Sequence, residues 1–299
     1  MLIDTHAHVN FHAFLDDAKE VLQRALDSGV WVINVGSQID TSSQCVELAN
    51  QFPSGVYAVV GLHPEHTHSQ VVDEEETHFQ TREEVFDYEI YKKLARDPKV
   101  VGIGECGLDY YRMPEGVDPK LIKQKQKDAF RAQVKLAKEL NKVLVIHSRP
   151  EKGNNELFDD LLEILDESKT AEHLLLAEGE SRPKGGEGVG ANLRFEVHSF
   201  TGSLEYLQKF LDRGGYVSFN GIITFDKTGN MEKLVRMTPL DKIILETDCP
   251  FLTPPPNRGK RNEPSFVRFV AEKVAQIKNL TADEIAEATT QNAKNLFKI

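Results

Sequence analysis

The chain has 299 residues, with 36 Lys and Arg against 47 Asp and Glu, for a net charge of −11. At 40% hydrophobic and 28% charged residues, it can bury a substantial core, which excludes a disordered or fibrous chain. The acidic balance also excludes broad electrostatic coating of nucleic acid, because Lys and Arg dominate phosphate affinity. A local basic patch or a metal site that holds phosphate remains compatible with it.

Three scattered cysteines, Cys45, Cys106 and Cys249, are too few and odd in number for a disulfide framework, so a reducing, cytoplasmic setting is expected. No apolar run approaches the ~18–20 residues of a membrane helix, and the opening MLIDTHAHVN shows no secretory pattern.

Short apolar runs alternate with amphipathic stretches along the chain. Leu2–Asp4 leads into His6 and His8, and Asp16–Ser28 has helical spacing that stops at Gly29. Further strands are expected at Val30–Val35, Val56–Leu62, Val100–Glu105, Val143–His147, Phe195–His198, Tyr216–Asn220 and Ile243–Asp248. Most are continuously apolar, the pattern of strands covered on both faces. Between them the clearest helix is Pro119–Leu140, where Phe130, Val134 and Ala137 share a face. After the last strand come a Pro-rich turn, Thr253–Pro256, and two helices, the second opening on the capping box Thr281–Glu284. Eight strands alternating with helices predict a single (β/α)8 TIM barrel over residues 1–299, with C-terminal helices. A doubly wound open sheet is the alternative.

Two segments interrupt the alternation. Glu65–Asp87 is rich in Glu, His and Thr and lengthens the third connection. Lys169–Asn192 contains Ser181-Arg-Pro-Lys-Gly-Gly-Glu-Gly-Val-Gly190 and reads as a mobile loop.

His6 and His8 are two residues apart, so on a strand both imidazoles face one side and can meet one metal ion. The pair His66 and His68 has the same spacing in a polar segment and reads as solvated surface. The first pair is distinguished by its company. Glu105, His147, His198 and Asp248 also stand at strand C-terminal ends, where barrel enzymes place their active sites. A carboxylate ending an apolar strand costs several kcal/mol unless paired or metal-bound, so two of them among histidines favour metal. This ligand set suits Zn²⁺ and also Mn²⁺ or Fe, whereas Mg²⁺ prefers more oxygen. A carboxylate on a central strand can bridge two ions ~3.5–4 Å apart, a geometry suited to hydrolysis.

The motifs His6-Ala-His8, Gly-Leu-His63-Pro, Gly-Glu105-Cys-Gly-Leu-Asp-Tyr-Tyr, Ile-His147-Ser-Arg, Val-His198-Ser-Phe-Thr-Gly and Glu-Thr-Asp248-Cys-Pro occur in this order. With Asn257-Arg-Gly-Lys-Arg-Asn-Glu-Pro and Asn292-Ala-Lys-Asn-Leu-Phe, the chain resembles the TatD family of metal-dependent deoxyribonucleases, within the amidohydrolase superfamily. The resemblance implies two divalent ions (Zn, Mg or Mn). His6, His8, Glu105 and Asp248 would hold one ion, and Glu105 would bridge to a second held by His147 and His198. It further implies that Asp248 orients or deprotonates the attacking water. Ser199 stands where the family commonly has Cys, and both interrupting segments are longer than usual.

Candidate substrate contacts surround this set. His63 is placed to touch a phosphate or to brace the site. Arg112 follows the Glu105 motif, and Arg258, Lys260 and Arg261 follow the eighth strand, where barrels often bind phosphate. Cys106 and Cys249 alternate away from the ligands and read as packing. Tyr110 and Tyr111 can stack a base or pack at the rim. The expected activity is hydrolysis of DNA phosphodiesters by metal-activated water, as an exonuclease on single-stranded or frayed ends. DNA contact should be weak and largely sequence-independent, without a membrane or an obligate protein partner. The alternatives are a D-aminoacyl-tRNA deacylase or another amidohydrolase-type ester or amide hydrolase, and an inactive binding module.

Overall fold

A computed structural model describes residues 1–69, 71–74, 77–80, 82–111, 113–114, 116–177 and 193–299. In chain order the elements are β1 (Leu2–Ala7), α1 (Ala18–Asp27), β2 (Val30–Val35), α2 (Ile39–Asn50) and β3 (Val56–Val60). A hairpin of β4 (Val71–Glu74) and β5 (Thr77–Gln80) follows, then α3 (Tyr88–Ala95), β6 (Val100–Asp109), α4 (Pro119–Glu139), β7 (Val143–Arg149) and α5 (Glu156–Ala177). The last part comprises β8 (Phe195–Val197), α6 (Leu204–Asp212), β9 (Tyr216–Phe219), α7 (Ile222–Phe225), α8 (Asn230–Met237), β10 (Ile243–Leu245), α9 (Val267–Lys278) and α10 (Ala282–Phe297).

Eight strands pair in the order β1-β2-β3-β6-β7-β8-β9-β10, every pairing parallel. The two edges meet beyond β10, where the His8 N–H donates to the Cys249 carbonyl at 2.8 Å and the Asp248 N–H to the His6 carbonyl at 2.9 Å. Asp4 fastens the same seam. Its carboxylate accepts the Thr247 N–H at 2.8 Å and the Thr247 hydroxyl at 2.5 Å. The expected TIM barrel is therefore observed, with all eight predicted strands in it.

Strand alternation sorts the apolar residues into two layers. Ile3, Ile33, Val35, Val59, Val101, Val143, Val145 and Ile244 form the inner layer. Val32, Ala58, Val60, Leu144, Ile146, Val217 and Phe219 belong to the outer layer beneath the helices, as do Cys106 and Cys249. Ala293, Leu296 and Phe297 of α10 join the inner layer and seal one end of the barrel. That end is the N-terminal one: the Asn292 amide donates to the Leu240 and Ile243 carbonyls at 2.7 and 2.8 Å, and the Thr290 hydroxyl to the Met1 carbonyl at 3.0 Å. The predicted Thr281–Glu284 capping box starts α10.

Both interrupting segments contain regular structure among their described residues. Glu65–Asp87 opens on a 3-10 turn at Pro64–Thr67 and carries the β4–β5 hairpin. The segment read as mobile from Lys169 starts within α5, which continues to Ala177, and 178–192 lie outside the described residues. Among the described residues, no helix is long and apolar enough to cross a membrane.

Candidate metal centre

The inner-face parity that sets the barrel core also delivers the site. Val143 and Val145 are followed at the same parity by His147, Ile244 by Glu246 and Asp248, and Val59 by Gly61 and His63. Glu105 needs more, because β6 shifts register between Ile103 and Cys106. Two glycines permit that path. Gly104 has φ +148° and Gly107 +140°, and a Cβ would lie 2.6 Å from the Val145 carbonyl oxygen at the first and 2.3 Å from that of His147 at the second.

The six predicted ligands converge, with Glu105 at their centre. Its Oε2 lies 3.3 Å from His6 Nε2 and 3.8 Å from His8 Nε2. Its Oε1 lies 2.7 Å from His147 Nδ1, 3.6 Å from His63 Nε2 and 3.7 Å from His198 Nε2. Asp248 spans the far side, with Oδ1 3.5 Å from His8 Nε2 and Oδ2 4.0 Å from His198 Nε2.

The outer bonds of the imidazoles set which nitrogen carries a proton. His8 Nδ1 is 2.8 Å from the Val35 carbonyl, which can only accept, so Nε2 turns a lone pair toward the cluster. His198 Nδ1 is held at 2.9 Å by Glu246, whose other oxygen accepts the Ser199 N–H and the Asn220 amide at 3.2 and 2.9 Å. His147 is braced by Asp109, 2.9 Å from Nε2. His63 has the opposite polarity. Its Nδ1 accepts the Glu65 N–H at 3.2 Å, which leaves the proton on the Nε2 that faces Glu105.

Burial alone would raise the Glu105 pKa, but His63, His6, His198 and the His147 bond hold it well below the carboxylate range. Burial alone would lower His147 and His198. The bonds to Asp109 and Glu105 lift His147 to about 9, and Glu246, Glu105 and Asp248 lift His198 well above its ordinary value. Burial, then the neighbouring His198, lowers His6, and burial, then His147, lowers His63.

A cation fits this donor set. The lone pair of His8 Nε2, Glu105 Oε2 and Asp248 Oδ1 face one another beside His6 Nε2, only 3.2 Å from His8 Nε2. Buried acceptors gathered in this way need a positive charge. His6, His8 and Asp248 have ligand atoms within 4.8 Å of one another, as do His63, Glu105 and His147, and His6, His198 and Glu246. Glu246 already engages three donors through its two oxygens, and the His63 proton faces inward, so both residues suit orienting roles better than ligation.

Asp109, Glu246 and Glu196 were not singled out in the sequence, although alternation carried the signal. Asp109 lies four residues beyond Glu105, Glu246 two before Asp248, and Glu196 two before His198. Glu196 is fully buried, and neither oxygen has a hydrogen-bond partner among the described residues. Burial, then Glu246, raises its pKa well above the carboxylate range.

The predicted substrate contacts fare differently. His63 lies in the cluster, whereas Arg112 lies outside the described residues. Arg258 donates to the Thr253 carbonyl at 2.9 Å and stacks 4.2 Å from the Phe225 ring. Arg261 folds back on Asp17 in a bidentate pair of 2.8 and 2.6 Å and covers the Phe14 ring. The solvated reading of His66 and His68 is corrected: they are only 7% and 4% exposed. The turn after Pro64 tucks them inward, with the Thr67 hydroxyl donating to the Pro64 carbonyl and the Glu84 N–H to the His66 carbonyl, each at 2.8 Å.

A parallel α/β barrel with a buried histidine–carboxylate cluster at the C-terminal ends of its strands defines a candidate metal-dependent barrel enzyme. The chain belongs to the TatD-related DNase family, whose model matches residues 3–298. It is 37% identical over 300 residues, the full length of both chains, to the uncharacterized metal-dependent hydrolase YabD of Bacillus subtilis. It is 28% identical, again over the full length of both, to the 3'-5' ssDNA/RNA exonuclease TatD of Erwinia tasmaniensis. The crystal structure of the TatD homolog YjjV from Escherichia coli is similar with a TM-score of 0.74 at 26% identity, covering 100% of this chain and 98% of that one.

Proposed function

We propose that the protein is a metal-dependent phosphodiesterase that removes nucleotides from single-stranded or frayed DNA ends. The observation that carries this reading is the division of Glu105, with one oxygen toward His6 and His8 and the other toward His147 and His198. His6, His8, Glu105 and Asp248 would hold one divalent ion, and Glu105, His147 and His198 a second. When bound, such ions activate water and neutralise charge on the phosphoryl oxygens. Asp248, reaching across the cluster, takes the proton of the attacking water. The His63 Nε2–H donates to a phosphoryl oxygen, while Glu246 and Asp109 keep His198 and His147 in register. Arg261, already engaged by Asp17, shapes the loop. The exonuclease name of the Erwinia relative supports the choice of substrate. The three cysteines are free and buried, in keeping with a cytoplasmic setting.

A metal-dependence profile on 3'- and 5'-labelled single- and double-stranded DNA tests the reading. Chelator-sensitive, stepwise release of nucleotides is expected. Intact DNA with Zn²⁺, Mn²⁺ and Mg²⁺, together with hydrolysis of an aminoacyl ester, would contradict it.

A further inference from the structure

The fold leaves one large aromatic exposed among its described residues, and that residue stands beside the metal-ligand cluster. Tyr111 is 47% exposed, whereas its neighbour Tyr110 is buried with its hydroxyl donating to Asp160 at 2.6 Å. Tyr110 is thus a packing residue, and the stacking role the sequence allowed either tyrosine falls to Tyr111. The Arg149 guanidinium lies 4.2 Å from the centre of the Tyr111 ring. Arg149 ends β7 two residues beyond His147, and its carbonyl accepts the Tyr110 N–H at 2.9 Å. Asp109 ties the pair to the cluster: Oδ2 holds His147 Nε2 at 2.9 Å while Oδ1 accepts the Tyr111 N–H at 3.0 Å. A single buried carboxylate therefore fixes both a cluster imidazole and the backbone of the exposed ring.

We propose that Tyr111 forms a nucleotide subsite, its ring, packed against the Arg149 guanidinium, stacking the unpaired base next to the scissile phosphodiester. The inference rests on the phosphodiesterase reading and extends it to recognition. Every base presents a π-face, so such a platform binds single strands without reading their sequence. In a chain of net charge −11, attraction for DNA has to be local, and the register of Arg149, two residues beyond His147, keeps the Tyr111 ring beside the cluster. Watson–Crick stacking hides the base face, so the platform also explains a preference for single-stranded or frayed ends.

The test compares a dT10 single strand with the same strand abasic at its two terminal nucleotides, using metal-loaded wild type, Tyr111→Phe and Tyr111→Ala. Removal of the bases should cost the wild type about 10-fold in kcat/KM. Tyr111→Ala should lose about the same on dT10, mainly through KM, and almost nothing further on the abasic strand, while Tyr111→Phe stays near wild type on both. Metal content and melting temperature of Tyr111→Ala should match wild type. Equal losses for Tyr111→Ala on both strands, or a wild type indifferent to the missing bases, would overturn the subsite while leaving the nuclease reading intact. A wild type that leaves dT10 whole with every metal overturns both.

Discussion

The two ends of the barrel are built on the same alternation and put it to opposite use. At the N-terminal end, inward positions are Ile3, Val101, Val143 and Ile244, capped by Leu296 and Phe297 of α10. At the C-terminal end the inward positions become His147, Asp248, Glu105 and His63, with Glu196 and Glu246 beneath. Apolar burial stabilises the floor by roughly 1.5–3 kcal/mol per large side chain, whereas burying charged and polar groups at the mouth costs free energy unless they are paired. The contrast teaches that the floor sustains the fold and the mouth is held in a costly arrangement suited to a cation.

If that division is correct, changes at the mouth should act on metal and turnover, and changes at the floor on stability. Glu105→Ala should remove both ion groups at once, with bound metal falling toward zero by elemental analysis and activity falling by about 1,000-fold or more. Asp248→Asn should lower kcat by about 100-fold with KM within a few-fold, as steady-state kinetics on labelled DNA would read. Phe297→Ala, at the floor, should cost about 3–5 kcal/mol in chemical denaturation while the folded fraction retains its kcat. Glu196→Val should move stability the other way, raising it by about 1–3 kcal/mol, because it removes a buried carboxyl that lacks a hydrogen-bond partner among the described residues.

An effect of similar size concerns the edge of the mouth. Burial, then Arg82, lowers His66 to about 4, against 6.5 for the unfolded chain. The folded state thus keeps His66 neutral where the unfolded state takes up a proton. Its contribution is present above pH 6.5 and eroded as pH falls toward 4, by on the order of 3 kcal/mol in full. Urea denaturation at pH 7 and at pH 4.5 should show a smaller loss for His66→Asn than for wild type.

The comparison also explains what was legible in the sequence. Continuous apolar runs betrayed the strands because a parallel barrel buries both faces. The candidate ligands stood out because charged and imidazole side chains are rare at the ends of such runs. Asp109, Glu246 and Glu196 escaped notice because their signal is parity with a neighbour rather than residue type alone. His66 and His68 were misread because a polar segment gives no sign of a tight turn folding it inward after Pro64. The engagement of Arg261 by Asp17 joins residues 244 positions apart, a pairing that no local pattern contains.

The central claim is that Glu105 is shared between two ions. Anomalous diffraction from crystals grown with Mn²⁺ tests it most directly. The account predicts two peaks about 3.5–4 Å apart, both touching the Glu105 carboxylate, one beside His6 and His8 and the other beside His147 and His198. A single peak, or a pair of which either ion lies beyond reach of Glu105, would contradict it.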